Sequence, residues 1–267
     1  MKFTKMQGAG NDYVYVNCFE ETVLDPQAAA IYVSDRHLGV GADGLVLICP
    51  SETADVKMRM FNTDGSEGAM CGNAIRCVGK YAYDHGLVSD TSITVETLGG
   101  IKRLDMETEN GRVTWACVDM GIPEVTSGVP EPIEVCGENK EFVGISVGNP
   151  HAVYFCQDID SLKLEEIGPY YENHSRFPGR VNSEFVQVVD RGHIRMRVWE
   201  RGSGETLACG TGATAGTVAS ILRGYTDSQV TVSLRGGDLV ITWNRETGHV
   251  FMAGPAVEVF HGDIEVK

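Results

Sequence analysis

Residues 56–71 read VKMRMFNTDGSEGAMC and residues 194–209 read IRMRVWERGSGETLAC. Each stretch runs from an alternating, strand-like segment into a glycine-rich turn and ends on a cysteine followed by glycine, Cys71-Gly72 and Cys209-Gly210. A single gapless offset, the 138 residues from Cys71 to Cys209, superimposes them and matches Met58 to Met196, Arg59 to Arg197 and Glu67 to Glu205. The same offset pairs Gly10-Asn11 with Gly148-Asn149 and Gly41 with Gly179. The chain is therefore expected to be a duplicated unit whose two copies, related by an approximate two-fold, close corresponding loops on one cleft. Two thiols on opposite sides of a bound molecule suit a reaction that removes a proton from one face and returns it to the other.

Composition narrows the class. With 267 residues, 42% hydrophobic and 22% charged, the chain has the length for two ordinary domains and the balance of a folded, mixed α/β globular protein. A formal charge of −15 repels phosphate backbones and argues against nucleic acid as a partner. No run approaches the ~18 apolar residues of a membrane span, and the start, MKFTKMQGAGNDYVYVN, lacks a signal-peptide pattern, so a cytoplasmic location without membrane association is expected. Eight cysteines without a CxxC pair indicate neither a disulfide scaffold nor a zinc or thioredoxin-type site. Cys18, Cys49, Cys77, Cys117, Cys136 and Cys156 read as small buried hydrophobes.

Short alternating runs predict strands over 12–17, 44–49, 56–62, 93–97 and 112–120. The second half supplies 143–147, 151–155, 183–188, 193–200, 229–234 and 238–243, with a final pair at 249–251 and 256–260. Helical patterns cover 28–36, 74–84, 160–170 and 213–223. The last carries Gly212, Ala213, Ala215, Gly216, Ala219 and Ser220, a composition suited to a central helix wrapped by its own half's sheet.

A helix N-terminus offers unpaired N–H groups and partial positive charge, which stabilise a thiolate and receive a carboxylate. Thiols so placed can titrate at about 3.5–7.5 instead of ~8.5. Two close thiols would not both ionise, so one base and one acid result. Glycine at 72 and 210 lets a substrate carboxylate reach the amides of Gly72-Asn73 and Gly210-Thr211, where preorganised dipoles meet the charge that develops as an α-proton leaves.

The run Asn62-Thr63-Asp64-Gly65-Ser66, then Cys71-Gly72-Asn73-Ala74 and Arg76, resembles the active-site segment of the diaminopimelate epimerases. Further matching pieces are Gly8-Ala9-Gly10-Asn11-Asp12-Tyr13, the run from Arg36 to Gly44, Gly148-Asn149-Pro150-His151, Arg180-Val181-Asn182, and Trp199 to Thr206 before Cys209-Gly210-Thr211-Gly212. Together they span essentially the whole chain in order.

The resemblance implies a cofactor-independent isomerase, without pyridoxal phosphate or metal, that interconverts LL- and meso-diaminopimelate. It implies two pseudo-symmetric lobes, each a largely antiparallel sheet around a central helix, with the active site in the cleft. Residues 1–113 and 114–253 would form the lobes and 254–267 would return to the first. In family terms Cys71 deprotonates the LL substrate and Cys209 reprotonates the opposite face. Asn11, Asn62, Asn149, Asn182, Glu200 and Arg201 would line the site, with Gly72-Asn73 and Gly210-Thr211 at the reacting carboxylate. Arg201 suits a far carboxylate, Glu200 an ammonium, and the asparagines supply neutral donors and acceptors. A homodimer is expected from the same resemblance. Some members carry a longer amide side chain where this chain has Gly44, so no contact is carried over there, although its repeat partner Asn182 keeps an amide. His151 is read as a structural histidine bonded to a loop.

Three other readings compete. The same two-thiol machinery could act on a ring amino acid such as proline, but a ring calls for an apolar pocket and Arg201 with the asparagines indicates a charged far terminus. A regulated Cys71–Cys209 redox pair leaves the duplicated Gly-Asn elements unexplained. A phosphate-binding module lacks the Lys-Ser/Thr of a P-loop and the Rossmann spacing.

Overall fold

The computed structural model describes residues 1–266, so the last position of the 254–267 segment lies outside the described residues. The fold is mixed α/β with strands predominating, and it divides into two compact units, Met1–Asp119 with Ala253–Lys267, and Met120–Met252.

In the first unit β1 (Lys2–Gly8) pairs antiparallel with β2 (Asn11–Asn17) and, on its other side, with β19 (Val257–Asp263). The Met1 ammonium donates to Ile264 O at 2.8 Å beside this pairing. β2 runs parallel to β3 (Gly44–Cys49), and the crossover that a parallel pair requires is α1 (Pro26–Ser34). Asp25 caps α1 by accepting from Ala28 N at 3.0 Å, and Pro26 occupies the first turn, where its missing N–H costs nothing. Ala29, Ala30 and Val33 of α1 pack on Val14, Val16, Leu45, Leu47 and Phe61. β3 pairs antiparallel with β4 (Val56–Asn62), which also holds the two-residue β5 (Glu67–Gly68). The second crossover, α2 (Gly72–Asp84), leads to β6 (Ser92–Thr97), parallel to β4. β7 (Gly100–Glu109) and β8 (Arg112–Gly121) follow antiparallel.

The second unit repeats this plan. Two short strands, β9 (Glu124–Val125) and β10 (Glu131–Val135), precede it and both pair with β11 (Glu138–Ser146). β11 pairs antiparallel with β12 (Pro150–Phe155), and α3 (Leu164–Glu172) crosses to the parallel β13 (Asn182–Asp190). β14 (His193–Glu200) with β15 (Gly204–Glu205) precedes α4 (Gly210–Leu222), which crosses to the parallel β16 (Gln229–Leu234). β17 (Gly237–Trp243) and β18 (Val250–Gly254) complete the order. The offset of 138 carries α1 onto α3 and α2 onto α4 without a residue's slip. The matched arginines and glutamates form the same ion pair in both units, Arg59 Nε–Glu67 Oε1 and Arg197 Nε–Glu205 Oε1, each at 2.8 Å.

Both central helices are enclosed by their own unit's strands: α2 touches β1, β2, β4, β6, β7 and β19, and α4 touches β11 to β14, β16 and β17. The small side chains of α4 allow this closeness. The hydroxyls of Thr214 and Ser220 are satisfied by donating to Gly210 O at 3.0 Å and Gly216 O at 2.7 Å within the helix.

Two differences from the sequence expectations have physical causes. The helix expected over 160–170 starts at Leu164, because Asp158 accepts from Asp160 N at 2.9 Å and holds the preceding residues in a turn that competes with helix. β1 escaped notice because it lies between two partners with both faces covered: Phe3, Thr4, Lys5 and Met6 are all buried, so no alternation appears. The buried Lys5 is balanced by Asp12 and the Gly41 carbonyl.

Gly168 of α3 lies against the indole of Trp199, and a Cβ there would fall 2.2 Å from Trp199 Cδ2. Trp199 cannot retreat easily, since its Nε1 donates to Glu172 Oε2 at 2.8 Å. Gly168→Ala is expected to lower stability by about 1–3 kcal/mol, read as a lower urea midpoint at unchanged slope.

Candidate active site

Cys71 is the N-cap of α2 in extended backbone geometry (φ −131°, ψ 120°), and its sulfur accepts from Ala74 N at 3.5 Å. The thiol donates to Asn11 Oδ1 at 3.2 Å, and Asn11 Nδ2 donates to Asp43 Oδ2 at 2.8 Å. Asp43 thus fixes which end of the Asn11 amide faces the sulfur. Asp43 is held in turn by the Asp12 amide and by Arg36, and its own carboxyl is pushed upward by burial and the neighbouring Asp12. The buried phenol of Tyr13 also faces Cys71, and burial together with that thiol raises its pKa. Gly72 and Asn73 are buried in the first turn of the helix. Asn62 is exposed at the end of β4 with its amide donating to Ser66 Oγ at 3.0 Å.

Cys209 caps α4 with nearly the same backbone angles (φ −123°, ψ 112°), its sulfur accepting from Gly212 N at 3.3 Å. Thr211 Oγ1 lies 3.4 Å from the sulfur and accepts from Asn149 Nδ2 at 3.3 Å. Behind Asn149, His151 Nε2 meets Asn149 Oδ1 at 3.0 Å and His151 Nδ1 meets Glu184 Oε1 at 2.7 Å. Glu200 accepts from Thr206 Oγ1 at 2.5 Å and from the Cys209 thiol. Asn182 bridges Pro150 O, at 3.1 Å, and the Arg201 amide, at 2.9 Å, tying the starts of β12 and β13 to the turn after β14. The Arg201 side chain is exposed, with one contact to Gly179 O at 3.1 Å that leaves guanidinium donors for a ligand.

The two caps differ in setting: Cys71 is half-buried, whereas Cys209 is buried at 6% exposure. The lowered titration expected for a helix-end thiol does not hold at Cys209. Burial, then the carboxylates of Glu200 and Glu184, push its pKa well above the ordinary value despite the bonds from Thr211 and Gly212. Glu200 is itself raised by burial. Tyr13, Asp43, Glu184 and Thr206 complete the caps without having been singled out from sequence. A glutamate inside the apolar run of β13 was the one available signal among them, since a buried carboxylate needs a partner.

At Gly44 the chain closes on β4, and a Cβ would lie 2.2 Å from Phe61 O and 2.8 Å from the Tyr13 ring. The missing side chain makes room for Tyr13, and Tyr13 faces Cys71.

Residues 3–126 and 143–259 match the family model for diaminopimelate epimerase. The chain is 54% identical over 278 residues to a diaminopimelate epimerase from Acetivibrio thermocellus, covering 100% of this chain and 99% of that one. It is 50% identical over 280 residues to one from Methanococcus maripaludis, with both chains fully covered. Among solved structures, a phenazine biosynthesis protein of the PhzF family from Bacillus anthracis shares the fold at a TM-score of 0.76 with 18% identity, covering 99% of each chain.

Two outcomes follow from this geometry. Glu200→Gln removes a charge that raises the Cys209 thiol, so the midpoint of iodoacetamide alkylation at Cys209, mapped by peptide mass, is expected to move to lower pH. Gly44→Gln is expected to lower thermal stability by about 1–3 kcal/mol through collision with Phe61 and Tyr13 instead of adding a substrate contact, as thermal unfolding would register.

Proposed function

The chain belongs to the diaminopimelate epimerase family, and from that premise we propose that it interconverts LL- and meso-diaminopimelate by moving one Cα proton between two cysteine sulfurs. The observation that carries this reading is the repeated cap: Cys71 and Cys209 each receive an amide of their own helix's first turn, at 3.5 Å from Ala74 N and 3.3 Å from Gly212 N. In the LL direction the Cys71 thiolate takes the α-proton, and the electron pair left on Cα spreads into the carboxylate. Amides in the first turns, at Gly72-Asn73 and Gly210-Thr211, offer donors to that carboxylate. The Cys209 thiol then gives its proton to the opposite face and is left as a thiolate. A buried thiol raised by Glu200 and Glu184 supports Cys209 as the protonated partner at rest. The sulfurs exchange roles in the reverse direction, and the chemistry runs on side chains and backbone donors alone.

Arg201 would pair with the far carboxylate, Glu200 with an ammonium, and Asn11, Asn62, Asn149 and Asn182 would orient the substrate. The exposed guanidinium of Arg201 supports a substrate with a charged second end over a ring amino acid. Family membership is also what supports a cytoplasmic homodimer, whose mass sedimentation would register.

Purified protein incubated with LL-diaminopimelate in deuterated water, without added cofactor, should place deuterium at one Cα as the meso form accumulates. Cys71→Ala and Cys209→Ala should each abolish net epimerisation. Full turnover in either variant would remove the two-base assignment.

A further inference from the structure

The second unit contains a hydrogen-bonded pair that the proton transfer itself does not use. His151, on β12, and Glu184, on β13, are 1% and 0% exposed, and their contact at 2.7 Å requires a proton between Nδ1 and Oε1. Among the described residues Glu184 Oε2 has no hydrogen-bond partner, so a net negative charge on the pair would be poorly compensated. A second proton, on Nε2, makes the pair neutral and turns Nε2 into a donor.

That proton count fixes everything downstream. Nε2–H donates to Asn149 Oδ1 at 3.0 Å, and Asn149 Nδ2 must then point the other way, to Thr211 Oγ1 at 3.3 Å. The Thr211 hydroxyl accepts there, so its own hydrogen is left for Cys209 Sγ at 3.4 Å. Without the Nε2 proton the amide could reverse, and Thr211 would become an acceptor facing the sulfur.

We propose that His151 and Glu184 are positioning residues which set the direction of this chain, so that the sulfur of Cys209 meets a hydroxyl donor when it gives up its proton. The inference rests on the assignment of Cys209 as a proton-transfer thiol. Gly212 N–H points at the same sulfur from within α4 at 3.3 Å, and the two donors together oppose burial and the carboxylates. The titratable groups facing this assembly are Tyr154 from β12, Glu200 from β14 and Cys209 itself.

The test compares the full-length wild-type chain with His151→Leu, Thr211→Val and Glu184→Gln. Alkylation of Cys209 by iodoacetamide is followed against pH with peptide mass mapping, and kcat and KM are measured with LL-diaminopimelate. Loss of one hydrogen bond to a charged group should raise the alkylation midpoint by about one pH unit and lower kcat about tenfold in His151→Leu and Thr211→Val, with KM nearly unchanged. Glu184→Gln keeps a partner at Nδ1 and a neutral pair, and should stay close to wild type in both readouts. An unchanged alkylation midpoint in Thr211→Val overturns the proposal, as does a Glu184→Gln protein impaired as far as His151→Leu. Thr211 is half-buried and valine matches its shape, so that variant decides the matter even where the buried His151→Leu fails to fold. Alkylation needs no substrate, so a wild-type chain lacking epimerase activity sinks the function and is distinguishable from failure here.

Discussion

The first turn of every α-helix leaves amide N–H groups without a carbonyl partner, and in this molecule a cysteine sulfur answers that deficit twice, ahead of α2 and ahead of α4. Sulfur is a weak acceptor, so the arrangement holds only where the surroundings fix both the helix and the residue before it. Each unit achieves this by enclosing the helix in its own strands and by an arginine–glutamate pair, Arg59 with Glu67 and Arg197 with Glu205, that fixes the strand and turn leading into the cap. The duplicated scaffold is a means of presenting two such sulfurs.

At Cys209 opposing effects of unequal size act on the same atom. A helix terminus contributes about 0.3–1 kcal/mol to a charge beside it, up to ~2 in favourable geometry, whereas full burial can move a titration by 3–5 units, at about 1.4 kcal/mol each. Burial with Glu200 and Glu184 therefore wins, and the thiol keeps its proton. A cationic group placed against Glu200 would offset part of that negative field, so ligand binding and thiol acidity are coupled through this carboxylate. The two caps thus share backbone geometry and differ in acidity for reasons that lie in their neighbours.

Much of this was legible in the residues. The offset of 138 located both caps, the ion pairs and the order of strands, because the side chains it matches occupy equivalent structural positions. It also held information that local pattern obscured: carried through from α1, it places α3 at 164, whereas the acidic run near Asp158 looks helical while folding as a turn. β1 was invisible for the opposite reason, since a strand covered on both faces loses the period that betrays a strand. Asn11, Asn149 and Cys209 were named from motif matches, but their partners Asp43, Glu184 and Thr206 were not. Those partners come from other strands and turns, and such proximity is a property of register, which sequence spacing alone does not record.

The pairing of β1 with both β2 and β19, and the bond from the Met1 ammonium to Ile264, draw residues from opposite extremities of the polypeptide into one sheet. The second unit, by contrast, closes within a single continuous stretch. On the ribosome, Met120–Met252 can therefore complete its contacts while its companion still waits with an unfilled edge, although that companion was translated first. Until the final segment emerges, β1 presents a row of unsatisfied backbone donors and acceptors to whatever strand is nearby. A truncation that removes only the last dozen or so residues would accordingly be felt at the opposite end of the gene product, as an exposed edge and a tendency to aggregate.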